Sequence, residues 1–194
     1  SDALIALMKE NPRMCHHLHI PVQSACNETL RRMNRPYTIE EFKEKINYIR
    51  SCIPNISIST DVIAGFVQES DEEFETTYEN LADLELSFFH VFPYSKRNGT
   101  KASTLKGEIN GNVTKARVAR LLELSNACRE RDMKRFNHVQ VLIERKQGGY
   151  YTGYTSQYHS CRILSDTPLS GRITIEWDRI EDGTYYGKKD DVCD

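Results

Sequence analysis

Polar side chains gather where three apolar runs of the sequence end. Gln23 and Ser24 follow the first run, Asp61 lies in the second and leads to Gly65, and residues 94–97 follow the third. Helical segments separate these runs, so we expect parallel strands whose carboxyl ends meet at one edge of a sheet. Each residue alone also has a structural explanation, such as a helix cap or a buried acid. Their convergence on the edge where α/β proteins build their sites favours a ligand site.

The six cysteines form no recognisable metal or disulfide motif. They stand at positions 15, 26, 52, 128, 161 and 193, without C-x-x-C or C-x-x-x-C spacing. Disulfide frameworks are typical of short secreted chains, so we expect reduced thiols and a cytoplasmic protein. Cys15, His17 and His19 could offer three ligands from one strand, but that geometry is strained, and we predict no metal site.

Hydrophobic periodicity predicts the order β-α-β-α-β-α in the first part of the chain. Three such units do not close a barrel, so we expect an open sheet or part of a larger barrel. A short helix is predicted at 1–10, strands at 18–22, 56–66 and 86–93, and helices at 27–33, after Thr38, after Ser70 and at 113–136.

The pattern changes at His138, where short alternating segments separated by Gly and Asp turns begin. Short strands of this kind predict a small antiparallel β-barrel. We therefore divide the chain into an α/β domain at 1–137, a barrel module at 138–190 and a tail at 191–194.

Charge is segregated along the chain. Residues 38–93 contain 12 acidic and 3 basic residues, whereas residues 94–146 contain 13 basic and 5 acidic ones. A basic segment could meet a phosphate backbone, although from the charge alone a solvated helix face is the preferred explanation.

Four motifs occur in an order that resembles the radical S-adenosylmethionine (SAM) methylthiotransferases. The resemblance covers about residues 10–190 and is greatest to the branch that modifies threonylcarbamoyladenosine beside the tRNA anticodon. The motifs are HIPVQS at 19–24, MNRPYT at 33–38, TDVIAGF at 60–66 with ESDEEF at 69–74, and HVFPYSKRNGT at 90–100.

The resemblance implies a partial (β/α) barrel and a radical chemistry. Members of the family hold one 4Fe-4S cluster in an amino-terminal domain and a second through a C-x-x-x-C-x-x-C motif in the barrel. The second cluster cleaves SAM reductively, and the resulting radical abstracts hydrogen from the adenine ring carbon that is to be thiolated. Another SAM supplies the methyl group. This chain lacks the motif. We therefore expect the carboxyl-terminal half of an enzyme, inactive alone, whose partner is the missing amino-terminal half.

Eight residues match positions that meet SAM in the family, and no catalytic residue is predicted. Arg35 would pair with the SAM carboxylate, and the sixth barrel strand would present its backbone to the adenine. The predicted SAM-binding residues are Gln23, Ser24, Arg35, Asp61, Ile63, Gly65, Val91 and Phe92.

The final segment, with GYTS at 153–156, resembles the TRAM module, a small RNA-binding barrel. Tyrosines beside cationic side chains suit stacking on single-stranded bases, and basic residues near the sheet edge could guide the anticodon loop. The predicted RNA-binding residues are Lys96, Arg97, Lys101, Arg145, Lys146, Tyr151 and Tyr154.

Two turns depart from the family pattern. The family has Gln-Ser-Gly-Ser after the first strand, and in this chain Ala25 and Cys26 replace the final Gly-Ser. The family has Phe-Pro-Gly-Glu after the second strand, and in this chain Val67 and Gln68 replace the Pro-Gly. Loss of glycine removes freedom to adopt positive φ. Either the turns adopt other geometries or SAM binding has changed.

Two other functions stay open from the sequence alone. The chain could be a non-catalytic RNA-binding module, or its parent could modify a ribosomal protein. The open edge of a partial barrel is also expected to favour self-association.

Overall fold

The computed structural model describes residues 1–190, so the predicted tail at 191–194 lies outside the described residues. Its helices are α1 (Asp2–Glu10), α2 (Asn27–Arg32), α3 (Ile39–Cys52), α4 (Asp71–Asp83) and α5 (Gly111–Met133), with a 3-10 turn at Lys101–Thr104. Its strands are β1 (His17–His19), β2 (Ser57–Ala64), β3 (Phe88–Pro93), β4 (His138–Gln147), β5 (Tyr150–Thr155), β6 (Ser160–Leu164), β7 (Gly171–Glu181) and β8 (Thr184–Lys189).

The chain forms two compact units. The α/β unit comprises His19–Ser51 and Ile58–Cys128. The barrel unit comprises Ser1–Leu18, Cys52–Ser57 and Arg129–Asp190 within the described residues. The closed barrel itself begins at His138. The division at residue 137 stays a prediction.

The predicted parallel sheet is confirmed, with the order β1-β2-β3. Strands β2 and β3 run parallel, with Asp61 opposite His90. A parallel bridge joins Gln23 to Val62 beyond the end of β1. This register places the ends of all three strands at one edge, as the alternation of strands and helices predicts.

Local sequence signals explain where two of the surrounding helices begin. Ser70 accepts the N–H of Glu73, whose carboxylate accepts the N–H of Ser70, so the two residues form a capping box before α4. Thr38 and Glu41 make the same reciprocal pair before α3. These bonds satisfy N–H groups that the first helical turn leaves without partners.

The second sheet closes into the predicted small barrel, in the order β4-β5-β6-β8-β7. One feature differs from a purely antiparallel barrel: β6 and β8 are parallel, with Cys161 opposite Tyr185. The difference arises because β8 returns between β6 and β7 and closes the barrel there. Turn residues predict hairpins between consecutive strands, but they do not reveal which distant strands pair.

Two glycines allow the barrel strands to approach closely. A Cβ at Gly153 would lie 1.9 Å from the carbonyl oxygen of Leu142, and one at Gly187 would lie 2.2 Å from that of Glu176. Register shifts occur next to both positions, in β4 and β7. A small barrel needs such bends to close.

The barrel core includes an aromatic side chain with a satisfied polar end. Tyr185 is fully buried, and its hydroxyl donates to the carbonyl oxygen of Met133 at 2.6 Å. Trp177 donates from its indole nitrogen to the carbonyl oxygen of Phe136, also at 2.6 Å. These bonds attach the end of α5 and the segment after it to the barrel.

A buried acid joins three parts of the barrel unit. Asp132 accepts hydrogen bonds from the hydroxyl of Ser57 and from the Nε2 side of His159, and Arg135 lies 2.6 Å from its other oxygen. Burial opposes ionisation of this carboxyl, but the bonds from His159 and Ser57 and the charge of Arg135 outweigh it and lower its pKa.

No helix within residues 1–190 is long and apolar enough to cross a membrane.

Replacing Asp132 by Asn should lower the free energy of unfolding by about 1–3 kcal/mol at pH 7, because buried donors lose their charged acceptor. A lowered folded-state pKa stabilises the fold above the ordinary Asp pKa, near 3.9, and this contribution is lost as the pH falls through the folded-state value. The difference between wild type and Asp132→Asn should therefore shrink in acid, as measured by urea unfolding from pH 7 to pH 3. Asp166→Asn, at an exposed loop position, serves as the control. Equal stability of Asp132→Asn and wild type at pH 7 would contradict this account.

Candidate functional site

One face of the three-stranded sheet carries several of the predicted ligand residues. Asp61 and Ile63 are two residues apart on β2, and Ile63 pairs with Phe92 on β3. Side chains two apart on a strand share a face, as do directly paired residues on neighbouring strands. Asp61, Ile63 and Phe92 therefore lie on the same face, whereas the side chain of Val91 points to the other.

Two histidines flank Asp61 on this face. The Nε2 atom of His19 lies 3.3 Å from a carboxylate oxygen of Asp61, and its Nδ1 lies 3.0 Å from the hydroxyl oxygen of Ser59. The rings of His19 and His90 have centroids 5.9 Å apart. The strand pattern predicted Asp61 as a ligand residue, but it did not reveal that both histidines lie beside it.

A buried ion pair holds the turn that follows β2. Glu69 accepts the backbone N–H of Gly65 at 2.8 Å, and the guanidinium of Arg117 on α5 donates to its carboxylate at 2.7 Å. Burial raises the pKa of Glu69, although the Gly65 N–H and Arg117 oppose that effect. Arg117 also pairs with Asp71 in the first turn of α4. The pair thus fixes the backbone at the carboxyl edge of β2.

The position of α5 also requires glycine in this turn. Gly65 has φ +74°, and a Cβ there would lie 2.3 Å from the Thr114 hydroxyl oxygen. Any larger residue would displace α5 or distort the turn. Gly65 therefore has a packing role in addition to the predicted contact with SAM.

A cavity of about 430 Å³ lies at the same edge of the sheet. Its volume falls within the range of about 300–1,000 Å³ that is typical of small-molecule sites. Among the predicted residues, it includes Gly65 and Lys96. The lining residues are Gly65, Pro93, Tyr94, Lys96, Glu108, Ile109, Gly111, Thr114, Lys115 and Val118.

Helix α4 fixes the loop after β1. Ser24 is fully buried, and its hydroxyl lies 3.2 Å from that of Thr77. The side-chain amide of Asn80 donates to the carbonyl oxygen of Ala25 at 2.8 Å. The Ser24 side chain is therefore part of the packing against α4, while its predicted contact with SAM stays a prediction.

Arg35 is exposed in the loop between α2 and α3.

The two glycine replacements have different consequences. Gln68 keeps a left-handed backbone, with φ +64°, at the position where the family has glycine. Its backbone N–H donates to the carbonyl oxygen of Gly107, and its side-chain amide donates to that of Lys106. Ala25 is not among the residues with positive φ. The second turn therefore keeps the glycine-like conformation, and the first does not need it.

The predicted RNA-binding residues of the α/β unit lie beyond β3. Lys96, Arg97 and Lys101 are exposed, and the Lys96 ammonium forms an ion pair with Glu108 at 2.9 Å. Much of the basic segment is otherwise paired internally, since Arg120 on α5 binds Glu75 on α4. The positive charge counted along this segment is therefore larger than the positive charge that its surface offers to a ligand.

The predicted RNA-binding residues of the barrel unit differ in exposure. Arg145 and Lys146 are exposed on β4, and Tyr154 is 41% exposed. Tyr151 is only 9% exposed, and the Lys146 ammonium lies 4.9 Å from the centre of its ring. Tyr151 belongs to the barrel core because its position on β5 points inward, so its ring is not presented to a base.

Three aromatic rings form a stack on the barrel unit. The rings of Tyr154 and Tyr158 have centroids 5.0 Å apart and lie 16° from parallel. The ring of His17 stacks on the other side of Tyr158 at 5.1 Å. Tyr158 is 52% exposed. The sequence predicted Tyr154 as an RNA-binding residue, but nothing in its pattern indicated that Tyr158 and His17 stack beside it.

Arg145 and Tyr154 border a polar groove of about 220 Å³, together with Arg162. Two guanidinium groups beside an exposed ring are suited to a phosphate and a neighbouring base. The groove therefore brings together two residues that were predicted to contact RNA.

Comparison with known proteins identifies related sequences. Residues 1–81 match the sequence model of the Radical SAM superfamily. The chain is 34% identical over 180 residues to the threonylcarbamoyladenosine tRNA methylthiotransferase MtaB of Bacillus subtilis (strain 168). This alignment covers 89% of this chain and 40% of that protein. It is 39% identical over 179 residues to the tRNA-2-methylthio-N(6)-dimethylallyladenosine synthase of Thermodesulfovibrio yellowstonii. That alignment covers 91% of this chain and 42% of the relative.

The match to a solved structure concerns the fold. Coproporphyrinogen III oxidase from Escherichia coli, described as a radical SAM enzyme, aligns with a TM-score of 0.51 at 19% identity, over 68% of this chain and 30% of that chain. The chain spans about two fifths of the length of the curated relatives above. The resemblance predicted from the four motifs is confirmed by these matches.

Replacing Arg117 by Met should lower the free energy of unfolding by about 3–5 kcal/mol, because Glu69 would lose its buried partner. Arg117 opposes the effect of burial on the pKa of Glu69, so its removal should raise that pKa further. A carboxyl whose pKa is raised in the fold destabilises the fold as it ionises, so the loss should grow as the pH rises above the ordinary Glu value. Arg120→Met is the matched control, since its ion pair with Glu75 is half exposed and should contribute about 1 kcal/mol or less. Denaturant unfolding from pH 4 to pH 8 would measure both variants. Equal losses in the two would contradict a special role for the buried pair.

Proposed function

We propose that this chain, a relative of the radical SAM methylthiotransferases, is part of an enzyme that adds a methylthio group to a modified adenosine beside the tRNA anticodon. The observation that carries the proposal is the carboxyl edge of the three-stranded sheet, where motif residues, a cavity and exposed cations occur in one compact unit. Both relatives described above are named for an activity that modifies tRNA, and this supports the proposal. Such an enzyme would work in the cytoplasm.

SAM fits the residues at this edge. Asp61, Ile63 and Phe92 share a face that leads to Gly65 and the cavity of about 430 Å³. A polar and apolar strip of this kind can hold the ribose and adenine, with Gln23 at the adjoining strand end. When bound, SAM would supply the radical and the methyl group, while the protein would position the adenosine and exclude water.

A 4Fe-4S cluster does not fit the cysteines of this chain. Cys26, Cys128 and Cys161 are buried apart from any group of ligands. Within residues 1–190, only one group of three His, Cys, Asp or Glu side chains has its ligand atoms close enough together to hold a metal ion, and that group contains no cysteine. We therefore propose that the cluster ligands come from sequence outside this chain, and that the chain alone does not catalyse the reaction.

The barrel unit would bind the RNA as a TRAM-like module. The exposed Tyr154–Tyr158 stack offers faces for unpaired bases, and Arg145 and Arg162 lie in the adjoining groove. Single-stranded loops are recognised in this way because every base has a face that can stack on a ring. In the α/β unit, Lys96, Arg97 and Lys101 would contact phosphates near the cavity. The anticodon loop is the proposed ligand.

Two alternatives follow from the same observations. The missing cysteine motif is equally compatible with a non-catalytic RNA-binding protein. A ribosomal protein as the target would require the aromatic stack to serve another purpose. Nucleoside composition and RNA affinity separate these alternatives from the proposed enzyme.

Deletion of the gene that encodes this chain should remove a 2-methylthio-adenosine derivative from total tRNA, as measured by nucleoside mass spectrometry. Expression of residues 1–194 alone should not restore it, because the cluster ligands are absent. An unchanged methylthio-adenosine level after deletion would refute the tRNA assignment. A mass shift confined to a ribosomal protein would support the protein-modifying alternative.

Replacing Tyr154 or Tyr158 by Ala should weaken binding of an anticodon stem-loop by about 1–3 kcal/mol per lost stacked base, which is about 5- to 150-fold. Arg145→Gln should lower affinity and reduce the salt dependence of binding by about one unit of slope. Fluorescence anisotropy at several salt concentrations measures both effects. Tyr48→Ala, at an exposed position on α3, is the control. Unchanged affinity in both tyrosine variants would remove the barrel from the proposed interface.

A further inference from the structure

We propose that His19, Asp61 and His90 bind one divalent first-row transition-metal ion, with Zn²⁺ as the expected occupant. From the sequence we predict no metal site here, because three ligands from a single strand would be strained. The three side chains instead come from three neighbouring parallel strands. The inference concerns the chain as it stands and does not depend on the proposed function, although the ion and SAM would compete for the carboxylate of Asp61.

Strand register brings the three donors together. Asp61 on β2 pairs directly with His90 on β3, so both side chains lie on one face. His19 ends β1 beside the same part of β2, since the N–H of Ile20 donates to the carbonyl oxygen of Ser59. Three adjacent strands thus each contribute one ligand, which removes the strain of taking all of them from one strand.

The distances suit a small coordination sphere. One ligand atom from each residue lies within 4.8 Å of the other two. The His19 Nε2 and Asp61 oxygen atoms are 3.3 Å apart. Ligands at about 2.0–2.2 Å from Zn²⁺ in tetrahedral geometry stand about 3.4 Å apart. The first two ligands therefore already have the required spacing, and a side-chain rotation of the exposed His90 closes the remainder.

Neighbouring groups orient both imidazoles. The Ser59 hydroxyl lies 3.0 Å from Nδ1 of His19, so a proton on Nδ1 donated to Ser59 would leave the Nε2 lone pair available to the ion. Metal-binding histidines commonly have such a partner on the second nitrogen. The ring of Phe88 meets that of His90 edge-on at 5.6 Å and packs beside it. These contacts distinguish the cluster from three independent surface side chains.

The donor set selects the class of metal. Two imidazoles and one carboxylate suit Zn²⁺, Co²⁺ or Fe²⁺ and do not suit Ca²⁺ or Mg²⁺, which prefer oxygen ligands. One carboxylate leaves a positive charge on the complex. The side chains of His19 and Asp61 are 37% and 26% exposed, so solvent can reach the ion. The remaining coordination position would hold water or an anionic ligand.

A simple ion pair between His19 and Asp61 is the alternative explanation. That pair requires nothing from His90, whereas a metal site requires all three residues. Binding of Zn²⁺ to thiols is a second alternative, because Cys15 is exposed. Variants of His90 and Cys15 therefore decide between these explanations.

The test is titration of the purified chain under reducing conditions with Co²⁺, followed by its displacement with Zn²⁺. We expect one equivalent of Co²⁺, with a visible d–d spectrum that Zn²⁺ abolishes. His90→Gln and Asp61→Asn should each weaken binding by more than about 100-fold, the upper end of the cost of losing an outer-shell partner. Ser59→Ala should weaken it by about 10- to 100-fold without changing the stoichiometry.

Two variants act as matched controls. Cys15→Ser removes the exposed thiol, and His138→Gln removes an exposed histidine that lies 3.0 Å from Asp190 in the barrel unit. Both should bind one equivalent with wild-type affinity, and circular dichroism should show that all variants are folded. The proposal fails if the wild type binds no stoichiometric Co²⁺ or Zn²⁺, if His90→Gln binds like wild type, or if Cys15→Ser abolishes the site.

Discussion

The buried ion pair between Glu69 and Arg117 organises the functional edge of the α/β unit. Its carboxylate holds the N–H of Gly65, and its guanidinium comes from α5. With Gly65 packed against Thr114, the turn after β2 and the start of α5 have one compatible arrangement. Because an unpaired charge at this depth is costly, the pair is retained only while α5 stays in place. The cavity at the sheet edge depends on that arrangement, since both Gly65 and Thr114 line it.

Ion pairs between α4 and α5 explain part of the charge segregation along the sequence. The acidic segment includes α4 and the basic segment includes α5, and the two meet through Arg117 with Asp71 and through Arg120 with Glu75. Arg120 also lies 4.8 Å from the centre of the Tyr78 ring. Complementary charge between helices thus accounts for part of a pattern that also suggested a phosphate-binding surface. Cations beyond β3 and on β4 remain exposed.

Periodicity and capping signals predicted the sheet, the helices and the small barrel because they depend on neighbours in sequence. Features that depend on register between distant strands were missed. The parallel pairing of β6 with β8 and the grouping of His19, Asp61 and His90 are both of this kind. Burial of Tyr151 was missed for a related reason, since alternation along β5 does not show which face points inward. Alternation along a strand shows which residues share a face, but only the packing of the sheet determines which of the two faces is buried.

The two glycine replacements show how a turn can lose its glycine without losing its shape. Gln68 retains a left-handed backbone, which costs a residue with a Cβ roughly 1–2 kcal/mol. Its backbone N–H and side-chain amide both bind carbonyl oxygens in residues 106–107, and these bonds offset that cost. At Ala25 the bond from Asn80 to the backbone carbonyl holds an ordinary conformation. The carboxyl edge thus keeps its geometry through side-chain contacts where its relatives use glycine. A ligand at this edge would meet the same backbone, with Gln68 added beside it.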